Sequence, residues 1–147
     1  MGNRKLVSLI AAATFLSLGH TADHLLRDDL PWPSTELLVF VLVSLLLYGA
    51  IGVSLSLYVK GKVGPRFWTF FAFAGVLFGW AAHFSPFTAQ PPRFILRAYH
   101  DDLAGWLAVG VLSMLMLVIA VAGVYAAYLW GALSGRSNDQ YVGDKVL

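Results

Sequence analysis

Residues 6–26 read LVSLIAAATFLSLGHTADHLL and form the first long apolar run of the chain. It is long enough to cross the roughly 30 Å of hydrocarbon in a bilayer, which takes about 20 residues of helix. Its end also carries His20, Asp23 and His24, whose spacing places their side chains on nearly the same face of a helix. The sequence therefore predicts a membrane-spanning helix that presents ionisable groups near one membrane surface.

The composition of the whole chain is typical of a membrane protein. Of its 147 residues, 59% are hydrophobic and 12% are charged, whereas soluble domains carry about 25% charged residues. The chain has no cysteine, which excludes disulfides, thiolate metal ligands and lipoprotein attachment. Its net charge of +2 is too small and too dispersed to indicate nucleic-acid binding.

Three further apolar runs follow the first, and we predict an all-α membrane protein that folds as a four-transmembrane-helix bundle. The predicted helices cover about residues 6–26, 36–59, 67–84 and 101–133. They form a single domain over residues 1–133, and prolines interrupt the connectors between them. Residues 95–100 are expected to form a short interfacial helix, and residues 134–147 a polar cytoplasmic tail.

The Lys and Arg residues indicate the orientation, because the cytoplasmic flanks of membrane helices are enriched in them. Seven fall on one side of the predicted membrane and three on the other. The first group is Arg4, Lys5, Lys60, Lys62, Arg66, Arg136 and Lys145, and the second is Arg27, Arg93 and Arg97. We therefore predict that both termini are cytoplasmic, in a multi-pass protein of the cytoplasmic membrane of a prokaryote.

The first apolar run also has the features of a secretory signal. It has a basic start, an apolar middle and the small-x-small triplet Ser17-Leu18-Gly19. Cleavage after this triplet would make His20 a new N-terminus. We interpret the run as a retained spanning helix, because its apolar character resumes at Leu25.

Small residues recur every four positions along several of the predicted helices. Gly75 and Gly79 lie in line with His83, and Ser17 lies nearly one turn before His20. Since membrane helices associate through close packing of small residues, this spacing places both histidines toward the interior of the bundle. The last helix repeats the spacing at Gly123, Ala127 and Gly131. The same stripes also fit contacts in a homo-oligomer or in a larger membrane complex.

All four histidines fall on the predicted outer side, with most of the carboxylates. His20 lies about 14 residues into its helix, or about 21 Å from its start. At that depth it is within the outer hydrocarbon, where an ionisable side chain is costly and usually functional. Imidazoles on one helix face suit a divalent ion such as zinc, iron or copper. We therefore predict a metal site whose first ligands are His20, His24 and His83. The next candidates are His100, Asp23 and Asp101.

Other functions of the same cluster stay open. Three histidine ligands would leave one position for metal-assisted hydrolysis or redox chemistry, but no nucleophile motif or phosphate loop identifies a reaction. The single glutamate, Glu36, disfavours a carboxylate-bridged di-iron centre. Two histidines on different helices would instead hold haem b, and a row of His and Asp would suit a metal-ion permease. The chain also fits a non-catalytic accessory subunit of a larger membrane complex.

A purely structural role at the membrane surface is the competing interpretation of each polar residue. For Asp28, Asp29, Glu36 and Asp102 it is the better one, since carboxylates are favoured at helix N-termini and in the headgroup layer. It is also slightly better for His100. The depth of His20 favours a function for it and for Asp23.

Overall fold

The computed structural model describes residues 2–26, 34–88, 90–99 and 101–143, and within these ranges the chain forms five helices and no strand. The helices are α1 (Arg4–Leu26), α2 (Ser34–Val59), α3 (Pro65–His83), α4 (Pro92–Ala98) and α5 (Asp102–Gly143). The predicted all-α class is confirmed. Three of the helices, α1, α2 and α5, are long and apolar enough to cross a membrane.

The helix bounds differ from the predicted ones mainly at the end of α5. The apolar span within this helix is Asp102–Gly135, yet the helix continues to Gly143. Part of the predicted polar tail is therefore helical. The short helix expected at residues 95–100 is present as α4, displaced toward the N-terminus because Pro92 is preorganised for the first helical turn.

Side chains that accept backbone hydrogen bonds fix the starts of two helices. At α1, the backbone N–H groups of Lys5 and Leu6 donate to Asn3 Oδ1 at 3.0 and 3.2 Å. At α5, the backbone N–H of Leu103 donates to Asp101 Oδ1 at 2.8 Å. Both side chains satisfy donors that have no partner within the helix.

Helix α5 is the element on which most of the others pack. It contacts α3, α1 and α4, whereas α2 contacts α1 only lightly. Small residues permit the close α3–α5 approach, because a Cβ added at Gly123 would lie 3.0 Å from Ala72 Cβ. A Cβ at Gly79 would collide with Met116 Sδ. This is the kind of interface that membrane helices use in the absence of a hydrophobic drive.

Two buried clusters lie at opposite ends of the molecule. The first joins the beginnings of α1 and α3 to the end of α2 and the second half of α5, through Leu6, Ile10, Tyr58, Trp68 and Ala126. The second joins α4 to the first half of α5, through Ile95, Ala108 and Leu112. It follows that α1 and α3 run in one direction, whereas α2 and α5 run in the other.

Helix α2 contacts α1 through polar groups as well as through the first buried cluster. The Tyr48 hydroxyl lies 3.0 Å from Ser17 Oγ and 2.7 Å from Thr21 Oγ1. Only 6% of the apolar span of α2 is buried. This arrangement leaves most of the helix surface available to lipid.

Candidate metal centre

The ends of α1 and α3 bring three histidines together. His20 and His24 lie one turn apart on α1, and His83 is the last residue of α3. The Nε2 atom of His20 lies 3.1 Å from His83 Nε2 and 3.2 Å from His24 Nε2. One ligand atom from each ring can be chosen so that all three lie within 4.8 Å of one another. The two helices run in the same direction, and so their C-terminal ends meet at this point.

The distances between the ring nitrogens suit a single bound ion. A tetrahedral ion with metal–nitrogen bonds of about 2.0–2.1 Å holds its nitrogen ligands about 3.3 Å apart. The separations of His20 Nε2 from His83 Nε2 and from His24 Nε2, 3.1 and 3.2 Å, are close to this value, and the three candidate ligand atoms all lie within 4.8 Å of one another. Three nitrogen ligands would leave one tetrahedral position for water or a substrate atom.

The hydrogen bond at the far side of His83 indicates which of its nitrogens carries the proton. His83 Nδ1 lies 3.2 Å from the carbonyl oxygen of Gln90, and a carbonyl oxygen only accepts. Nδ1 is therefore the donor, and in the neutral ring Nε2 presents a lone pair. That lone pair faces His20 Nε2 at 3.1 Å, as a metal ligand at this point requires.

Without a bound cation, hydrogen bonding among the three histidines places the proton of His20 on an unfavourable nitrogen. If His83 Nε2 is an acceptor, a neutral His20 must carry its proton on Nε2 and share it between His83 and His24. His20 Nδ1 would then turn a lone pair toward Asp23 Oδ2, which lies 4.0 Å away. A cation among the three Nε2 atoms removes the conflict, since it lets His20 Nδ1 keep its proton facing the carboxylate.

Asp23 lies behind the histidines, and its contacts extend to the α4 segment. One carboxylate oxygen faces His20, and the other accepts a hydrogen bond from the Tyr99 hydroxyl. Asp23 is 8% exposed and His83 is 6% exposed. In so buried a place, charges and hydrogen bonds act through a low effective dielectric and are correspondingly strong.

The remaining predicted ligands have different placements. Asp101 is exposed, and its Oδ1 accepts the backbone hydrogen bond at the start of α5. It is not in the histidine cluster, which among the described residues is the one group able to hold a metal ion. His100 lies outside the described residues, so its role as a ligand stays a prediction.

Three neighbours of the site were not found from the sequence. Gln90 contributes a backbone carbonyl, which leaves no signature in a sequence, and Phe40 contacts the His24 ring at 5.6 Å between centroids. Tyr99 was also missed, although its position directly before His100, Asp101 and Asp102 was a signal in the sequence that could have identified it.

Fold and site together define a helical protein with three helices that could span a membrane and a partly buried cluster of three histidines. Comparisons with protein-family models, with curated proteins and with solved structures found no match to the chain. The function is therefore inferred from the chemistry of these residues.

Proposed function

We propose that the chain is a four-helix transmembrane protein that binds one divalent transition-metal ion through His20, His24 and His83. The observation that carries this proposal is the approach of His20 Nε2 to His83 Nε2 at 3.1 Å and to His24 Nε2 at 3.2 Å. Imidazole ligands suit zinc, copper, iron and nickel. The open fourth position is the feature that catalytic zinc sites share, so metal-assisted hydrolysis or redox chemistry is the activity to look for.

The four-span topology is supported by the direction and length of α3. This helix has 19 residues, or about 28 Å at 1.5 Å per residue, which is close to the thickness of the hydrocarbon. It runs parallel to α1 and antiparallel to α5, as the fourth span of an alternating bundle would. With the Lys and Arg residues concentrated at the opposite end, both termini are cytoplasmic and the histidines lie near the outer surface.

Packing of the first helix supports its retention as a span. Leu6 is 0% exposed and Ile10 is 6% exposed, and both belong to a core cluster that also contains residues of α2, α3 and α5. Removal of residues 1–19 as a signal would open this cluster and would separate His20 from the helix that positions it.

The geometry of the three histidines favours a single bound ion over the two alternatives, a haem protein and a metal-ion permease. A haem takes its two axial ligands on opposite faces of the macrocycle, whereas these three rings meet around one point. A permease would need further ligands along the path, and among the described residues no second group of that kind is found. A protonated His20 beside Asp23 would account for the same geometry without a metal ion. Metal analysis distinguishes these two cases.

The test is elemental analysis with an optical spectrum on detergent-purified protein, beside His20→Ala and His83→Ala. We expect about one zinc, iron, copper or nickel per chain and its loss in both variants. A Soret band would assign haem instead. Metal-free wild-type protein that also takes up no added zinc, nickel or copper would overturn the proposal and favour the accessory-subunit function, for which co-purifying chains would then be sought.

A further inference from the structure

The connector between α3 and α5 reaches back to the histidine site at two points. At the first, the Gln90 carbonyl accepts the hydrogen bond from His83 Nδ1 at 3.2 Å. At the second, the Tyr99 hydroxyl donates to Asp23, whose other oxygen faces His20 Nδ1. This one connector therefore supplies the acceptor for His83 Nδ1 and holds the carboxylate that faces His20 Nδ1.

Local contacts fix this segment at both ends. Near α3, the Thr88 hydroxyl donates to the Ala82 carbonyl, and the Gln90 N–H donates to Thr88 Oγ1 at 3.0 Å. Near α5, a Cβ added at Gly105 would lie 3.2 Å from Leu96 Cα and 3.2 Å from its carbonyl oxygen. The carbonyl of Gln90 and the hydroxyl of Tyr99 are therefore held in place by the fold.

The chemistry of metal-bound histidine gives these contacts a meaning. A ligating imidazole usually donates its second N–H to a carboxylate or a backbone carbonyl, which fixes the tautomer and makes the ligating nitrogen more basic. Asp23 would do this for His20, and the Gln90 carbonyl would do it for His83. Tyr99 would in turn orient Asp23, whose free rotation would otherwise weaken its interaction with Nδ1.

We propose that Asp23 and Tyr99 are positioning residues for a metal ion held by the three histidines, and that the α4 connector is thermodynamically coupled to its binding. This inference rests on the proposed function. By linkage, if the connector increases the affinity for the metal, bound metal stabilises the connector by the same free energy.

The direct test is Tyr99→Phe, which keeps the ring and removes the hydroxyl. Zinc affinity, measured by competition with a chelator, is expected to fall about 10- to 100-fold, the usual effect of losing an outer-shell partner. The matched control is Tyr125→Phe, which removes a phenol that donates to Asn3 Oδ1 at 3.3 Å, at the other end of the molecule. Its zinc affinity is expected to equal that of the wild type.

A double-mutant cycle separates positioning from general stability. If Tyr99 acts through Asp23, Tyr99→Phe changes zinc affinity little in an Asp23→Ala background. Thermal unfolding of the metal-free variants is measured in parallel, because a merely structural role would lower the metal-free stability and leave zinc affinity unchanged. Full additivity in the cycle would overturn the inference.

Hydrogen exchange on the wild type covers the case in which Tyr99→Phe does not fold. Zinc is expected to slow exchange of the backbone amides in residues 90–99, excluding the prolines, relative to the metal-free protein. Equal exchange rates with and without bound zinc would contradict the coupling. A wild type that binds none of zinc, nickel and copper removes the proposed function itself, whereas zinc binding that depends on His20 but not on Tyr99 or Asp23 removes only this inference.

Discussion

Among single residues, the ring nitrogens of three histidines are the groups on which the proposed metal binding depends. His83 has its proton placed by a backbone carbonyl, and His20 has a carboxylate behind it. His83 therefore presents its Nε2 lone pair to His20 Nε2, and His24 Nε2 lies 3.2 Å from the same His20 nitrogen. Lone pairs gathered within hydrogen-bonding distance repel one another unless a cation or a proton lies between them.

Loss of the third nitrogen is expected to weaken metal binding strongly. In His24→Ala, zinc affinity should fall by more than about 100-fold, the upper end of what loss of an outer-shell partner produces. Competition titration of the purified variant measures this. The control is Asp101→Asn, which retains the cap of α5 because Asn caps as well as Asp. An affinity loss in the control, or none in His24→Ala, would mean that the ligands are misassigned.

The three histidines and Asp23 could be identified as site candidates from the sequence, whereas the groups that the α3–α5 connector brings to them could not. His20 and His24 share a helix face by spacing alone, and the glycines in line with His83 indicated an inward-facing stripe. The positions of Tyr99 and the Gln90 carbonyl depend on how the connector folds back over the site. That path follows from tertiary packing, for which the proline-rich sequence has no periodicity to read.

At the scale of elements, the contact between α3 and α5 positions one half of the site. Gly75 faces Ile119, and Gly123 faces Ala72, so small residues on both helices allow the close approach. Gly131 has no neighbour within 4 Å of an added Cβ. The stripe predicted on the last helix thus makes its close contact at Gly123 and not along its whole length.

Adding a methyl group at this contact is expected to push the two helices apart. Gly123→Ala should reduce the free energy of unfolding by about 1–3 kcal/mol, the usual effect of overpacking. Gly110→Ala on the same helix is the control, since nothing lies within 4 Å of its added Cβ and alanine favours helix. Unfolding in detergent and denaturant provides the measurement.

The compensating change makes this prediction specific. In the double variant Gly123→Ala with Ala72→Gly, the clashing Cβ of residue 72 is absent and the spacing between helices is restored. We expect most of the lost stability to return, less about 1 kcal/mol for the glycine in a helix. Equal stabilities of Gly123→Ala and Gly110→Ala would show that α3 and α5 do not meet at this point.

Hydropathy predicted the helix ends correctly where the helix is apolar, and it missed the polar last part of α5. The ends of α1 and α2 lie where the apolar runs end. Helix α5 continues through Ser134 and Gly135 to Gly143, because backbone hydrogen bonds within a helix do not require apolar side chains. Hydropathy indicates which part of a helix is apolar, whereas the end of the helix depends on where its backbone hydrogen bonds stop.

At the scale of the whole molecule, the number of spans decides where the site lies. α1, α2 and α5 qualify as spans by length and composition, and α3 must also cross if both termini share the cytoplasmic side. The α2–α3 turn, where Gly61 has a φ of +71°, would then lie inside. The α3–α5 connector and the histidines would lie outside.

Cysteine labelling tests this topology without interference, because the chain has no cysteine of its own. Phe87→Cys, at a position that is 95% exposed, should react in intact cells with a maleimide that cannot cross the membrane. Lys62→Cys should react only after permeabilisation. Labelling of both variants from the same side would mean that α3 does not cross the membrane.

X-ray absorption at the zinc edge of zinc-loaded, detergent-purified protein shows directly whether the three histidines bind one ion. We expect three imidazole nitrogens at about 2.0–2.1 Å from the zinc with one further light atom, and two remaining imidazoles in His24→Ala. A shell of oxygen atoms without the multiple-scattering signature of imidazole, unchanged in the variant, would contradict the proposed metal binding.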